Sequence, residues 1–431
     1  MKKIDRREFL KLLGGAGAAA LPGLKGCAAP GMMPGAAPKA RVVVVGGGFA
    51  GATAAKYVRL WDPGIDVTLV ERQPEFISCP LSNLVLAGVR RLPELSRPYD
   101  PLQSRWGVRL VRDEATAIDL DKRQVRLARG NPLSYDRLIV APGIDFMWET
   151  IPGLASPAAQ ERVPHAWKAG PQTLVLRRQL EAMRDGGVYA IAIPKMPYRC
   201  PPGPYERASL VAFYFKQAKP RAKILILDAN PDITSKKGLF TKAWEDLYKG
   251  MIEYRANSEL VDVDASTLTA KLQFENVKAD VLNVVPPQRA GAIAKQAGLI
   301  TANDRWCEVD FLTYESKVAK GVHVLGDATQ SAPAMPKSGH MANQHGKICA
   351  AAVVALLQGQ EVNREPLIAN TCYSFVSDRE AMHVASVHRY DPEKKTMVTV
   401  QGAGGLSSAR NELEAQYAWA WGQNIWNDML G

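Results

Sequence analysis

From residue 41 onward, short apolar runs alternate with segments of helical spacing. Arg41–Val45 is a valine run, the pattern of a strand buried on both faces. It meets Gly46-Gly47-Gly48-Phe49-Ala50-Gly51, a helix pattern follows to about Leu60, and a second apolar run, Asp66–Val70, closes on Glu71. The same succession recurs in the middle third: a strand over Gly187–Ile193, a helix over Glu206–Gln217 and a strand over Lys223–Leu227. Two further runs read as strands ending in turns. Tyr135–Val140 closes on Ala141-Pro142-Gly143, and Gly321–Leu325 closes on Gly326-Asp327-Ala328 before a helix pattern over 340–357. Strands that alternate with helices predict parallel sheets covered on both faces.

The expected fold class is therefore α/β, with two Rossmann-like dinucleotide-binding domains. The first domain is expected to be discontinuous and the second degenerate, with a small C-terminal α+β domain. The boundaries expected are 1–40 for an export signal and linker, 41–150 and 286–360 for the two parts of the first domain, 151–285 for the second, and 361–431 for the C-terminal unit. In the first domain Gly46, Gly48 and Gly51 permit a tight turn, close approach to a pyrophosphate and close helix packing, and the helix N-terminus faces the phosphates. Glu71 follows Gly51 by twenty residues, where an acid holds a ribose hydroxyl pair. Arg72 beside it is counted with the cofactor-binding residues. The matching turn of the second domain is Pro194-Lys195-Met196-Pro197-Tyr198-Arg199-Cys200-Pro201-Pro202-Gly203-Pro204-Tyr205, with five prolines in place of glycines. Proline removes the amide donors that cradle a pyrophosphate, which argues against a nicotinamide cofactor here.

Composition adjusts this picture at the N-terminus. The formal charge is +11, and Lys2, Lys3, Arg6, Arg7, Lys11 and Lys25 against Asp5 and Glu8 supply four of those charges. Arg6-Arg7-Glu8-Phe9-Leu10-Lys11 followed by the small-residue stretch Leu12–Leu24 reads as a twin-arginine export signal, with a periplasmic destination. Its apolar run is about half the length that spans a bilayer, so no transmembrane segment is expected in the mature chain. No basic block interleaved with aromatics points to nucleic acid. The cysteines are Cys27, Cys79, Cys200, Cys307, Cys349 and Cys372. Their spacing fits no metal site and no Cys-x-x-Cys-His haem attachment.

The turns at Ala141-Pro142-Gly143 and Gly326-Asp327 resemble those of the pyridine nucleotide–disulfide reductase superfamily. There the first marks a domain crossover and the acid holds the FAD ribityl chain. A narrower resemblance rests on Ile77-Ser78-Cys79-Pro80-Leu81-Ser82-Asn83, Tyr198–Arg207 and Asn370-Thr371-Cys372-Tyr373-Ser374. These are similar to the flavoprotein subunit of flavocytochrome c sulfide dehydrogenase. That resemblance implies FAD joined through a thioether at Cys79, with tight noncovalent FAD as the competing reading. It implies a redox-active disulfide between Cys200 and Cys372, 172 residues apart, against a purely structural one. Glu206 is either a proton acceptor for bound sulfide or only a favourable charge at a helix start. Trp421 is expected to wall the pocket, and Lys337 to lie near the flavin pyrimidine. Haem is then expected only on a partner, a c-type cytochrome subunit, with inorganic sulfide as substrate. The rival readings are a sulfide:quinone oxidoreductase and, from another class, a non-catalytic electron-relay flavoprotein.

Overall fold

The computed structural model describes residues 38–431. The segment read as an export signal, and Cys27 with it, lies outside the described residues. Five strands form a fully parallel sheet in the spatial order Arg109–Val111, Ile65–Val70, Ala40–Val45, Arg137–Val140 and Val322–Val324. Val42–Val45 are buried in the domain core as the valine run predicts. The helix Phe49–Trp61 leaves the glycine turn, and the helix Gly339–Leu357 packs against it after the chain returns. The first domain is thus built from two separated stretches of sequence.

The second sheet is also parallel, ordered Ile252–Arg255, Lys223–Asp228, Val188–Ile193 and Val281–Val284. The helix that follows Val188–Ile193 runs Gly203–Ala218, three residues earlier than the sequence pattern suggests. Pro204 reads as a breaker in sequence but sits in the first turn, where no amide donor is required. The two crossings between domains are short strands, Ile144–Phe146 and Gln288–Ala290, paired antiparallel.

The C-terminal unit is an antiparallel sheet, Leu367–Phe375, Ala381–Asp391 and Thr396–Leu406, followed by the helix Glu412–Leu430. The side chain of Asn411 caps that helix by accepting from the Glu414 amide at 2.8 Å. The helix then folds back onto the first domain. Asp428 accepts from Tyr57 Oη at 2.6 Å and Asn343 Nδ2 at 2.7 Å and pairs with Lys347 at 2.9 Å, while Lys56 Nζ donates to the Asn427 and Asp428 carbonyls. Five polar links fasten the unit whose strand carries Cys372 and whose helix carries Trp421. Among the described residues no helix is long and apolar enough to cross a membrane, and no cluster of His, Cys, Asp or Glu has metal-holding geometry.

Candidate functional site

Where the two nucleotide-type domains meet the C-terminal unit lies a cavity of about 1050 Å³. This is at or above the top of the range of about 300–1,000 Å³ usual for one small ligand. Gly46, Gly48, Glu71, Arg72, Cys79, Ala141, Gly143, Cys200, Glu206, Gly326, Asp327, Cys372 and Trp421 all line it.

The glycine turn behaves as its spacing requires. Gly46 has φ +99°, and a Cβ there would collide with the Ala141 carbonyl oxygen. Gly51 does not reach the cavity; a Cβ on it would strike the Gly46 carbonyl oxygen, so its role is close helix packing. Gly48 has nothing within 4 Å of its Cβ position and opens directly onto the cavity. Glu71 Oε2 accepts from the Gly47 amide at 2.7 Å, and Arg72 pairs with Glu114 at 2.9 Å. Asp327 sits beyond the strand Val322–Val324, 4.0 Å from Arg199; burial holds its carboxyl above the ordinary range, opposed by Arg199 and Lys337.

In the second domain the corresponding ground is filled by protein. Asp228 ends the second strand, as Glu71 does in the first domain, but it is 0% exposed. It accepts from Tyr205 Oη at 2.7 Å, Asn230 Nδ2 at 2.7 Å and Tyr254 Oη at 3.1 Å. Tyr198 Oη packs against Thr234 in the same cluster at 3.2 Å. The acid that would take a ribose is already satisfied by side chains of its own domain.

The proline turn instead swings Arg199 and Cys200 into the first domain's cavity. Cys200 has a left-handed backbone, φ +61°, and its amide donates to the Lys337 carbonyl at 2.9 Å. Gly203 gives the sulfur room, since a Cβ there would lie 2.9 Å from Cys200 Sγ. Arg199 Nη2 donates to Cys79 Sγ at 3.6 Å and to the Trp167 carbonyl, while the Ala169 amide donates to the same sulfur at 3.3 Å. Cys372 lies on the strand Leu367–Phe375, with Asn370 Nδ2 at 3.6 Å from its sulfur. All five described cysteines are free thiols. The fold therefore delivers Cys200 and Cys372 to one cavity without a bond between them, and burial pushes both thiols up.

Glu206 stands in the first turn of its helix and is buried. Its Oε1 accepts from the Phe375 amide at 3.0 Å and its Oε2 from Asn83 Nδ2 at 3.1 Å. Burial raises its carboxyl, against the Phe375 amide, Lys236, Asn83 and Arg207. The Trp421 ring lies 5.9 Å from His340 and 6.3 Å from Tyr373, and all three line the cavity.

Lys337 departs from the sequence expectation. Its Nζ donates to the Asp327 and Thr329 carbonyls at 3.0 and 2.5 Å and sits 3.7 Å from the Trp306 ring centre, so it does not line the cavity. Those carbonyls and that ring satisfy a buried ammonium that burial has lowered to about 8. What Lys337 gives the site is its carbonyl, which holds the Cys200 amide.

Comparison with known proteins now decides the family. Residues 173–286 match the central region of the sulfide dehydrogenase (flavocytochrome c) flavoprotein chain, and residues 364–430 match the flavin-binding region of flavocytochrome c sulphide dehydrogenase. Residues 40–175 match the pyridine nucleotide-disulphide oxidoreductases. A stretch of 45 residues is 64% identical to the sulfide dehydrogenase (flavocytochrome c) flavoprotein chain of Chlorobaculum thiosulfatiphilum, covering 10% of this chain and 94% of that one. The chain belongs to the flavocytochrome c sulfide dehydrogenase flavoprotein family. The mitochondrial sulfide:quinone oxidoreductase of Mus musculus is 24% identical over 306 residues, 67% of this chain, and the chain spans 65% of that relative's length. The solved sulfide:quinone oxidoreductase of Aquifex aeolicus has a TM-score of 0.72 at 18% identity, covering 90% of this chain and 91% of that one, and so shares the fold.

A flavoprotein of this family and superfamily implies FAD, and the residues present fit it. The Gly46–Gly48 turn with the helix behind it suits the pyrophosphate, Glu71 the ribose and Asp327 the ribityl chain. Cys79, Cys200 and Cys372 line the same cavity. Four polar residues around these groups were not anticipated from sequence: Asn83, Arg199, Arg207 and Lys236. Asn83 and Arg199 fall inside the quoted cysteine segments, and that adjacency was their only signal. Arg207 ends such a segment, while nothing in the sequence around Lys236 marks it.

Proposed function

We propose that this flavoprotein oxidises hydrosulfide in the periplasm, through a Cys200–Cys372 disulfide and FAD tethered at Cys79, and passes the electrons to a c-type cytochrome subunit. The carrying observation is that Cys200 and Cys372, remote in sequence, line one cavity together with Glu206 and Asp327. In the oxidised protein the two sulfurs are joined. Glu206 takes the proton of entering hydrogen sulfide, and the hydrosulfide attacks one sulfur. The S–S bond breaks, a persulfide forms on one cysteine, and the other leaves as thiolate. A second hydrosulfide lifts off the outer sulfur as hydrodisulfide and leaves a dithiolate. Re-forming the disulfide releases an electron pair, and bound FAD supplies the sink for it. The Arg199 donor beside Cys79 and the protein-filled second domain support a site that takes electrons from thiols and not from a nicotinamide.

Titrating the purified holoprotein with sulfide should bleach the flavin, and adding cytochrome c should restore its colour faster than a quinone does. Faster reoxidation by quinone would move the protein to the reading that its mouse and Aquifex relatives favour. No bleaching at all would remove sulfide as substrate. Acid precipitation of the same sample should leave the yellow colour in the pellet, and colour in the supernatant would exclude the Cys79 tether.

Glu206 gives a pH prediction. Its raised carboxyl accepts a proton only above its own pKa, so the rate of flavin reduction should fall as pH drops through that value. Glu206→Gln should lower the rate by about a hundredfold and abolish this acid limb. An unchanged acid limb in the variant would leave Glu206 as a helix-start charge only.

A further inference from the structure

Lys236 is a buried cation in a place where the chain has to strain to put it. It caps the helix Lys237–Leu247 with a left-handed backbone, φ +56°, a conformation that glycine or asparagine adopts at lower cost. The residue is 4% exposed, and Nζ donates to the Cys372 carbonyl at 2.8 Å. A lysine normally keeps its ammonium in water, and one withdrawn from it requires anions nearby. The largest acidic influences on it are Cys372 on its strand, Glu206 on the helix Gly203–Ala218, Cys200 in the proline turn and Glu414 on the final helix. Glu414 is engaged 2.8 Å from His383, and Glu206 is held by Asn83 and the Phe375 amide. The thiols are the partners that remain.

The two thiols are not placed alike. Asn370 Nδ2 lies 3.6 Å from the Cys372 sulfur, and its own Oδ1 accepts from Ser338 Oγ at 2.7 Å, which fixes the amide in that position. Among the described residues no side-chain donor is bonded to the Cys200 sulfur. Resting on the sulfide-oxidising reading above, we propose that Lys236 is a positioning residue of the redox pair, a buried cation that stabilises the Cys372 thiolate when hydrosulfide opens the disulfide. In that step an S–S bond forms between hydrosulfide and Cys200, the Cys200–Cys372 bond breaks, and its electron pair stays on Cys372 beside the ammonium. The local electrostatics run in the same direction. Burial pushes the Cys372 thiol up and Lys236 is the largest opposing influence; burial lowers Lys236 to about 8, and Cys372 is the largest influence raising it.

Two measurements on the holoprotein test this. In the first, the reduced protein is alkylated with iodoacetamide across a pH series without sulfide, and labelling of Cys372 is read by mass spectrometry. Lys236→Met should move the alkylation midpoint up by about one to two pH units, and Lys236→Arg should bring it back toward wild type. An unmoved midpoint in folded, flavin-loaded Lys236→Met overturns the proposal. Should that variant fail to fold, Lys236→Gln is read by the same criterion. In the second, sulfide-dependent flavin reduction by Lys236→Met should slow about tenfold at neutral pH and recover as pH rises. An equal loss at every pH would make Lys236 a purely structural contact. Because alkylation uses no sulfide, a wild-type protein that sulfide cannot reduce would sink the functional reading while the midpoint still decides the role of Lys236.

Discussion

Replacing Cys372 with serine should lower sulfide-dependent flavin reduction by about a thousandfold or more, and Cys200→Ser should do the same. In the proposed mechanism the two sulfurs act as one unit, since neither can form a disulfide or open one alone. The double variant should therefore lose no more than either single one, a strongly non-additive result. Flavin should remain bound in all three, because the glycine turn, Glu71 and Asp327 are untouched. Stopped-flow bleaching of the flavin checks the rates, and the absorbance of the purified variants checks the loading. Wild-type reduction in either single variant would remove the cysteine pair from the mechanism and leave the electron-relay reading.

Arg207→Met should destabilise the fold by about 3–5 kcal/mol. Arg207 is 2% exposed and joins three parts of the chain. It donates to Asn83 Oδ1 at 3.0 Å, to Asn283 Oδ1 at 2.9 Å, and to the carbonyls of His165 and Ala166 at 2.9 and 2.6 Å. Methionine fills similar space but donates nothing, so these buried acceptors lose their partner together. Asn83 would also lose the bond that orients it toward Glu206, so sulfide-dependent reduction should fall alongside stability. The shift of the urea midpoint at constant slope measures the first effect. A loss below about 1 kcal/mol would mean that water or neighbouring donors replace the guanidinium.

The first glycine turn was legible because its demands are local. A valine run, glycines where a Cβ would strike a carbonyl, and an acid at the end of the next strand all lie within one strand–helix–strand unit. The start of the helix at Gly203 was less legible, since Pro204 reads as a breaker until the first turn is known. Lys337 shows a different limit. Its place after the Gly-Asp strand suggested the flavin pyrimidine, but only packing decides that its ammonium turns toward two carbonyls and Trp306. Lys236 carried no signal, because its importance depends on a strand that arrives more than a hundred residues later.

The sequence by itself determined the two parallel-sheet domains, the dinucleotide-type glycine turn and the loss of glycines from the second turn. These follow from backbone sterics and hydrophobic period, which act over a few residues. Only the tertiary structure decided that Tyr205, Asn230 and Tyr254 occupy Asp228, that the final helix fastens the C-terminal sheet to the first domain, and that Cys200, Cys372, Glu206 and Lys236 converge. Those outcomes depend on which surfaces meet when separate elements bury their apolar faces, and a local pattern does not encode a meeting between distant ones.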